Sequence, residues 1–124
     1  MIEIGCGPGA AARVVAELVG PAGHVLAVDR SATAIEQAAR AGADLIAEGR
    51  LSVRQVAAED LVLRPGEAPY DIAFAVRVGA LDGRFPEAGA GALRRLAGAL
   101  VPGGRVFVDG GEPLRELGLP APSG

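Results

Sequence analysis

Three glycines alternate through the stretch EIGCGPG at residues 3–9, and a carboxylate, Glu3, stands two positions before the first of them. Asp29 follows 20 residues after Gly9, at the end of a short apolar run. A loop with Gly5, Gly7 and Gly9 turns tightly and lets a ligand approach the main chain, because a Cβ would fill that space or forbid the backbone angles. Where such a loop opens a helix, the free N–H groups and the positive dipole end attract a carboxylate or a phosphate. A carboxylate at the end of the next strand accepts hydrogen bonds from both hydroxyls of a ribose and disfavours a 2′-phosphate. Glu3 can tie down the loop's N–H groups and, through water, hold an amino group. A pyrophosphate is repelled by that acid, whereas a ligand carrying an α-amino group and a sulfonium is favoured by it.

The elements that position these residues are short. Apolar runs occur at 1–4, 24–28, 51–56, 71–76 and 105–108, most of them separated by stretches long enough for a helix. This alternation predicts βαβ units and a parallel sheet. The runs at 24–28 and 72–76 are apolar on both faces, as central parallel strands are, and 51–56 alternates as an edge strand does. Ala11, Val14, Val15 and Leu18 share one face of a first predicted helix, which GPAG at 20–23 ends. Ser31 is the N-cap of a second, with Ile35, Ala38, Ala39, Leu45 and Ile46 on one side and Gly49 closing it. Gly42 inside it costs about 1 kcal/mol relative to Ala and marks a kink or break. Leu93, Leu96, Ala97 and Leu100 give a third, stopped by PGG at 102–104. Residues 57–70 read as loop and the tail from Glu112 as irregular.

Composition removes several function classes. The chain has 124 residues, enough for one domain, and half are apolar, enough for a core. Net charge is −3 with no run of Lys or Arg, so nucleic acid is not an expected partner. A single Cys and a single His exclude an intrachain disulfide and the usual structural zinc site, and no metal is expected. No apolar run approaches a membrane span, and no signal peptide is legible at the start. The expectation is a cytoplasmic protein with no membrane partner.

At this point the residues carry a resemblance. EIGCGPG followed by VLAVDRS resembles motif I and the acidic motif of class I S-adenosylmethionine-dependent methyltransferases. YDIAFAV resembles that family's fourth strand, and ALVPGGRVFVDGG its last helix end, turn and fifth strand. The resemblance covers residues 1–111, read as the cofactor-binding core, with 112–124 as an irregular tail. It implies an α/β, Rossmann-like open sheet, mostly parallel, of order 3-2-1-4-5 with three main helices, and S-adenosylmethionine as cofactor. By position, it implies that the backbone at Gly5, Cys6 and Gly7, with Gly9 ending the loop, lines the methionine portion. Glu3 is the acid of motif I, Asp29 holds the ribose, and Arg30 flanks the adenine, where a guanidinium can stack. The loop at 56–61 meets the adenine edge. The family commonly has an Asp where this chain has Ala57, so the exocyclic amine falls to Glu59 or Asp60, or to the Ala58 amide and water. Val76 and Arg77 border the methyl-transfer cleft, with Arg77 a candidate for an anionic substrate group or the cofactor carboxylate.

The remaining candidates have plainer readings. Cys6 is a small buried filler, and His24 a surface residue at the far end of the second strand. Arg77 is equally a structural partner for a nearby acid. Asp82, Arg84 and Asp109 read as solvated loop charges, and Arg94 and Arg95 as the polar side of an amphipathic helix. No catalytic base can be named, because transfer to a good nucleophile needs mainly in-line positioning. The family's segments before the first strand and its closing hairpin of strands six and seven are expected to be absent. Strand five is then an open edge through which copies of the chain could pair, and Met1 is either an internal start or that of a minimal form. Three functions remain open from the residues: a methyltransferase core acting on a small-molecule acceptor, an NAD-binding oxidoreductase fragment, and a non-catalytic cofactor-binding remnant.

Overall fold

A computed structural model describes residues 1–7, 9–20, 23–75, 86–108 and 115–117. Strands β1 (Ile2–Ile4), β2 (Val25–Asp29), β3 (Leu51–Gln55), β4 (Tyr70–Ala75), β5 (Leu100–Val108) and β6 (Arg115–Leu117) form one sheet of order β3-β2-β1-β4-β5-β6. The first five strands pair in parallel, as the sequence predicts, and β6 lies antiparallel on β5. The helices are α1 (Ala10–Leu18), α2 (Ala32–Ala41), α3 (Ala43–Ala47) and α4 (Pro86–Ala99), with one 3-10 turn at Ala58–Asp60.

Both sheet faces are covered, which is why β1 and β2 are nearly continuous apolar runs. Ile2, Ile4, Leu26, Val28, Ala73, Ala75 and Val106 pack on one side with Leu96 and Ala99 of α4 and with Ala58 and Leu61. Val25, Ala27 and Leu51 pack on the other with Ala12 and Ala16 of α1, Ala38 of α2 and Leu45 of α3. The 2-residue period of β1 therefore sends Glu3 to the α1 side, between two isoleucines that point the opposite way.

The second predicted helix breaks at Gly42 into α2 and α3. A Cβ at Gly42 would come within 2.5 Å of Leu51 Cδ2 and 3.2 Å of the Ala38 carbonyl oxygen, so the glycine lets the helix pair press against β3. Ser31 caps α2 as expected, its Oγ accepting from the Ala34 N–H at 3.2 Å.

Three expectations are corrected. In α1 the buried face is Ala12 and Ala16, while Ala11 is exposed, Val15 half-buried, and Val14 and Leu18 are 57% and 80% exposed. Small side chains let the helix sit close to the sheet, and the loop that launches it at Gly9 sets its rotation. Leu100 does not continue α4. It opens β5 opposite Tyr70, and PGG bulges out of that strand, because the next paired residues are Ile72 and Arg105. Finally, the strand-five edge is not open throughout. Leu117, Glu116 and Arg115 pair with Val106, Phe107 and Val108, so the tail is strand rather than irregular over 115–117, and pairing of copies along that part of the edge is removed.

Candidate functional site

The glycine loop leaves β1 between α1 and β2. The Cys6 N–H donates to the Val28 carbonyl at 2.9 Å, which extends the sheet pairing one step into the loop. The chain then turns through Gly5, Gly7 and Gly9 at φ of 69°, 54° and 85°, the left-handed region that glycine enters without strain. Gly9 has a second reason to lack a side chain: a Cβ there would sit 3.0 Å from Ala38 Cβ, so it permits the contact between α1 and α2. At Gly7 a Cβ would meet nothing within 4 Å, so the loop has an open side at that residue.

Asp29 holds this loop. Its Oδ2 accepts from the Gly7 N–H at 3.0 Å and its Oδ1 from the Ser31 N–H at 2.9 Å. Its own carbonyl accepts from the Val56 N–H at 3.0 Å, which ties the loop after β3 to the same residue. Each carboxylate oxygen keeps lone-pair capacity beyond the single N–H it accepts.

Glu3 does not tie down the loop's N–H groups. It is 4% exposed and accepts from the Ala12 N–H, in the first turn of α1. Gly9 is the N-cap and brings no side chain to the orphan donors, so a carboxylate from β1 serves them. Burial pushes the Glu3 carboxyl up to about 7, against the pull of the Ala12 hydrogen bond and with a smaller push from the Asp29 charge. Its Oε1 is buried with no hydrogen-bond partner among the described residues. A buried acceptor in that state is costly, and a donor brought by a ligand relieves it. Burial, followed by the charges of Glu3 and Asp29, pushes the Cys6 thiol up to about 12, so it is an inert filler; its Sγ donates to the Gly7 carbonyl at 3.3 Å.

The structure thus brings together Glu3, Gly5, Cys6, Gly7, Gly9 and Asp29 at the carboxyl ends of β1 and β2. Arg30 is exposed beside them, and its carbonyl accepts from Gln55 Nε2 at 3.3 Å. In the adjoining 3-10 turn Ala58 is buried in the α4-side core, Glu59 is half-buried and Asp60 exposed. The Glu59 carbonyl accepts from Arg95 Nε at 3.2 Å, so Arg95 fastens this turn to α4 as well as facing solvent. Val76, Arg77, Asp82, Arg84 and Asp109 lie outside the described residues.

Two features escaped the sequence reading. His24 is half-buried rather than a plain surface residue: Nδ1 lies 2.8 Å from the Gly49 carbonyl and Nε2 3.0 Å from Ser52 Oγ. Glu67 clamps the loop before β4. It accepts from Arg54 Nη1 and Nη2 at 3.1 and 2.8 Å, from the Arg64 N–H at 2.8 Å and from the Tyr70 hydroxyl at 2.9 Å. Hydrogen bonding to Arg54 is the main reason its carboxyl falls to about 2. The partners of Glu67 lie 3 and 13 residues away and those of His24 lie 25 and 28 away, and no spacing rule marks them. A cleft of about 520 Å³ lined by Met1, His24, Tyr70 and Asp71 sits at the amino ends of the strands. Ligand sites of open α/β sheets lie at the other end, with Asp29 and the glycine loop.

The chain is 32% identical over 117 residues to a protein-L-isoaspartate O-methyltransferase of Methanothrix thermoacetophila, a match covering 94% of this chain and 50% of that protein. Among solved structures it resembles the [4+2]-cyclase SpnF at 25% identity and TM-score 0.70, over 86% of this chain and 36% of that one. It also resembles magnesium protoporphyrin IX methyltransferase from Synechocystis PCC 6803, solved with bound S-adenosylmethionine, at 18% identity and TM-score 0.64, over 86% and 46%. The chain therefore spans about half or less of the length of these proteins. Residues 1–104 match the methyltransferase-domain family, whose members bind S-adenosylmethionine, and the chain belongs to that family.

Proposed function

We propose that this chain is the S-adenosylmethionine-binding core of a methyltransferase that acts on a small-molecule acceptor. The observation that carries the reading is Glu3 Oε1, a buried carboxylate oxygen without a partner, on the strand that feeds a glycine loop with an open side at Gly7. An ammonium group, directly or through water, meets the need of that oxygen. The backbone at Gly5, Cys6 and Gly7 lines the methionine portion, and Gly9 lets α1 begin there. The spare lone pairs of Asp29 accept the ribose hydroxyls, Arg30 flanks the adenine, and Ala58 and Glu59 border its edge. When bound, S-adenosylmethionine supplies an activated methyl group on a sulfonium. The chain's part is to hold and orient it. The absence of a basic run disfavours nucleic acid as the acceptor. Among the described residues no helix is long and apolar enough to cross a membrane, and the lone buried Cys6 suits the cytoplasm.

The test is photocrosslinking with methyl-labelled S-adenosylmethionine, competed by S-adenosylhomocysteine and mapped by peptide. Label in the segments containing residues 3–9 and 29–30, removed by the competitor, is expected. Label confined to the cleft at Met1, His24 and Tyr70 overturns the assignment.

A further inference from the structure

Asp29 touches three separate parts of the candidate site before any ligand arrives. One carboxylate oxygen takes the Gly7 N–H, the other takes the Ser31 N–H that begins α2, and the main-chain carbonyl takes the Val56 N–H ahead of the 3-10 turn. The Gly7 bond is the informative one. It joins residues 22 apart, from the end of β2 to the loop after β1, at a turn where a Cβ would find open space. Glu3 engages α1 instead, through Ala12, so it does not perform this task. A loop whose residues lie at left-handed φ has little to hold it but its hydrogen bonds. Of these, the one reaching Gly7 from a side chain comes from Asp29.

We infer that Asp29 is a positioning residue for the methionine end of the cofactor, acting through the Gly7 N–H, in addition to accepting the ribose. This rests on the cofactor reading above and assigns the residue a second action at a distance from the ribose. Ionisation is essential to it. A carboxylate presents acceptors to both N–H groups at once, whereas the isosteric amide has one acceptor and turns its NH₂ against the other donor. Asp29→Asn therefore releases either Gly7 or the start of α2, whatever the ligand.

The experiment separates the two actions with the ligand. S-adenosylhomocysteine and its 2′,3′-dideoxy analogue are each titrated into the parent and into Asp29→Asn, with folding checked by circular dichroism. Hydrogen exchange at the Gly7 amide is followed without ligand. If Asp29 positions the loop, the variant binds even the dideoxy analogue about tenfold or more weaker, a loss no ribose contact can cause. Its Gly7 amide also exchanges about tenfold or more faster. If the variant and the parent bind the dideoxy analogue equally, with Gly7 equally protected, the positioning role is overturned and the ribose role stands. If the parent binds neither ligand, the cofactor reading fails and this inference falls with it. Should Asp29→Asn not fold, the parent still decides it. A scalar coupling through the hydrogen bond between the Gly7 amide nitrogen and a carbon-13-labelled Asp29 carboxyl is expected in the parent, and its absence refutes the proposal.

Discussion

Replacing Glu3 with Gln should flatten the pH dependence of stability between pH 5 and 8. The Glu3 carboxyl ionises near 4.5 when the chain is unfolded and near 7 when it is folded, because burial disfavours the charge. Its folded pKa is raised, so the folded state holds the proton more tightly across that interval. Its contribution is then fully present below about pH 4.5 and lost as pH rises through 7. Integrating between pH 5 and 8 gives a loss of about 2.5 kcal/mol, or roughly 10 °C in Tm for a chain of this length. Gln at position 3 keeps an oxygen for the Ala12 N–H and does not titrate. Its other polar atom, like Oε1, still lacks a partner, so the two proteins can differ by a constant offset. The slope is the diagnostic quantity. The Met1 amine, lowered by burial, is common to both proteins and cancels in the difference. Thermal melts at half-unit pH steps measure it. A slope that survives unchanged in Glu3→Gln would refute the argument that this carboxylate is buried and under-partnered in the folded chain.

The same carboxyl predicts that binding S-adenosylhomocysteine at pH 6.5 releases a fraction of a proton, since the ligand's ammonium favours ionised Glu3. Calorimetric enthalpies in two buffers of different ionisation heat read it, and Glu3→Gln should abolish the difference. Gly7→Val should remain folded at a cost of about 1–2 kcal/mol for a β-branched residue at left-handed φ, and should lose cofactor affinity; unchanged affinity would remove the loop from the site. Gly9→Ala should act on stability instead, lowering it by about 2 kcal/mol in chemical denaturation, because its Cβ meets Ala38 at 3.0 Å. Glu67 has the opposite sign to Glu3. Its folded pKa is depressed to about 2, so its contribution is present above pH 4.5 and lost as pH falls through 2. Glu67→Gln should remove about 3 kcal/mol at pH 7 and erase the acid limb of the stability profile.

The strands and the glycine loop were legible because both are local, whereas the strand order came from the family resemblance. Short apolar runs mark strands buried on two faces, and Gly5, Gly7 and Gly9 occupy left-handed φ that few other residues tolerate. Asp29 was legible as a strand-end acid, but its hold on Gly7 was not, since the sequence carries no sign that Oδ2 turns back to the loop. Glu3 was placed correctly at the meeting of sheet and loop, yet its partner is Ala12, because α1 starts just past the end of β1 and lies over β2 and β3. The α1 face was misread for a related reason. Periodicity favours the larger Val14 and Leu18, whereas close helix–sheet contact selects Ala12 and Ala16. The Arg54–Glu67–Tyr70 clamp and the β6 pairing depend on contacts that neither propensity nor spacing encodes.

Glu3, the glycine loop and Asp29 are expected to accept S-adenosylmethionine and to reject a pyrophosphate-bearing dinucleotide. Isothermal titration of the chain with S-adenosylhomocysteine and, separately, with NADH distinguishes the two. Saturable binding of S-adenosylhomocysteine is expected, weakened by Glu3→Gln and by Gly7→Val, with no binding of NADH over the same range. Binding of NADH in preference, or of neither ligand by the folded chain, would contradict this expectation.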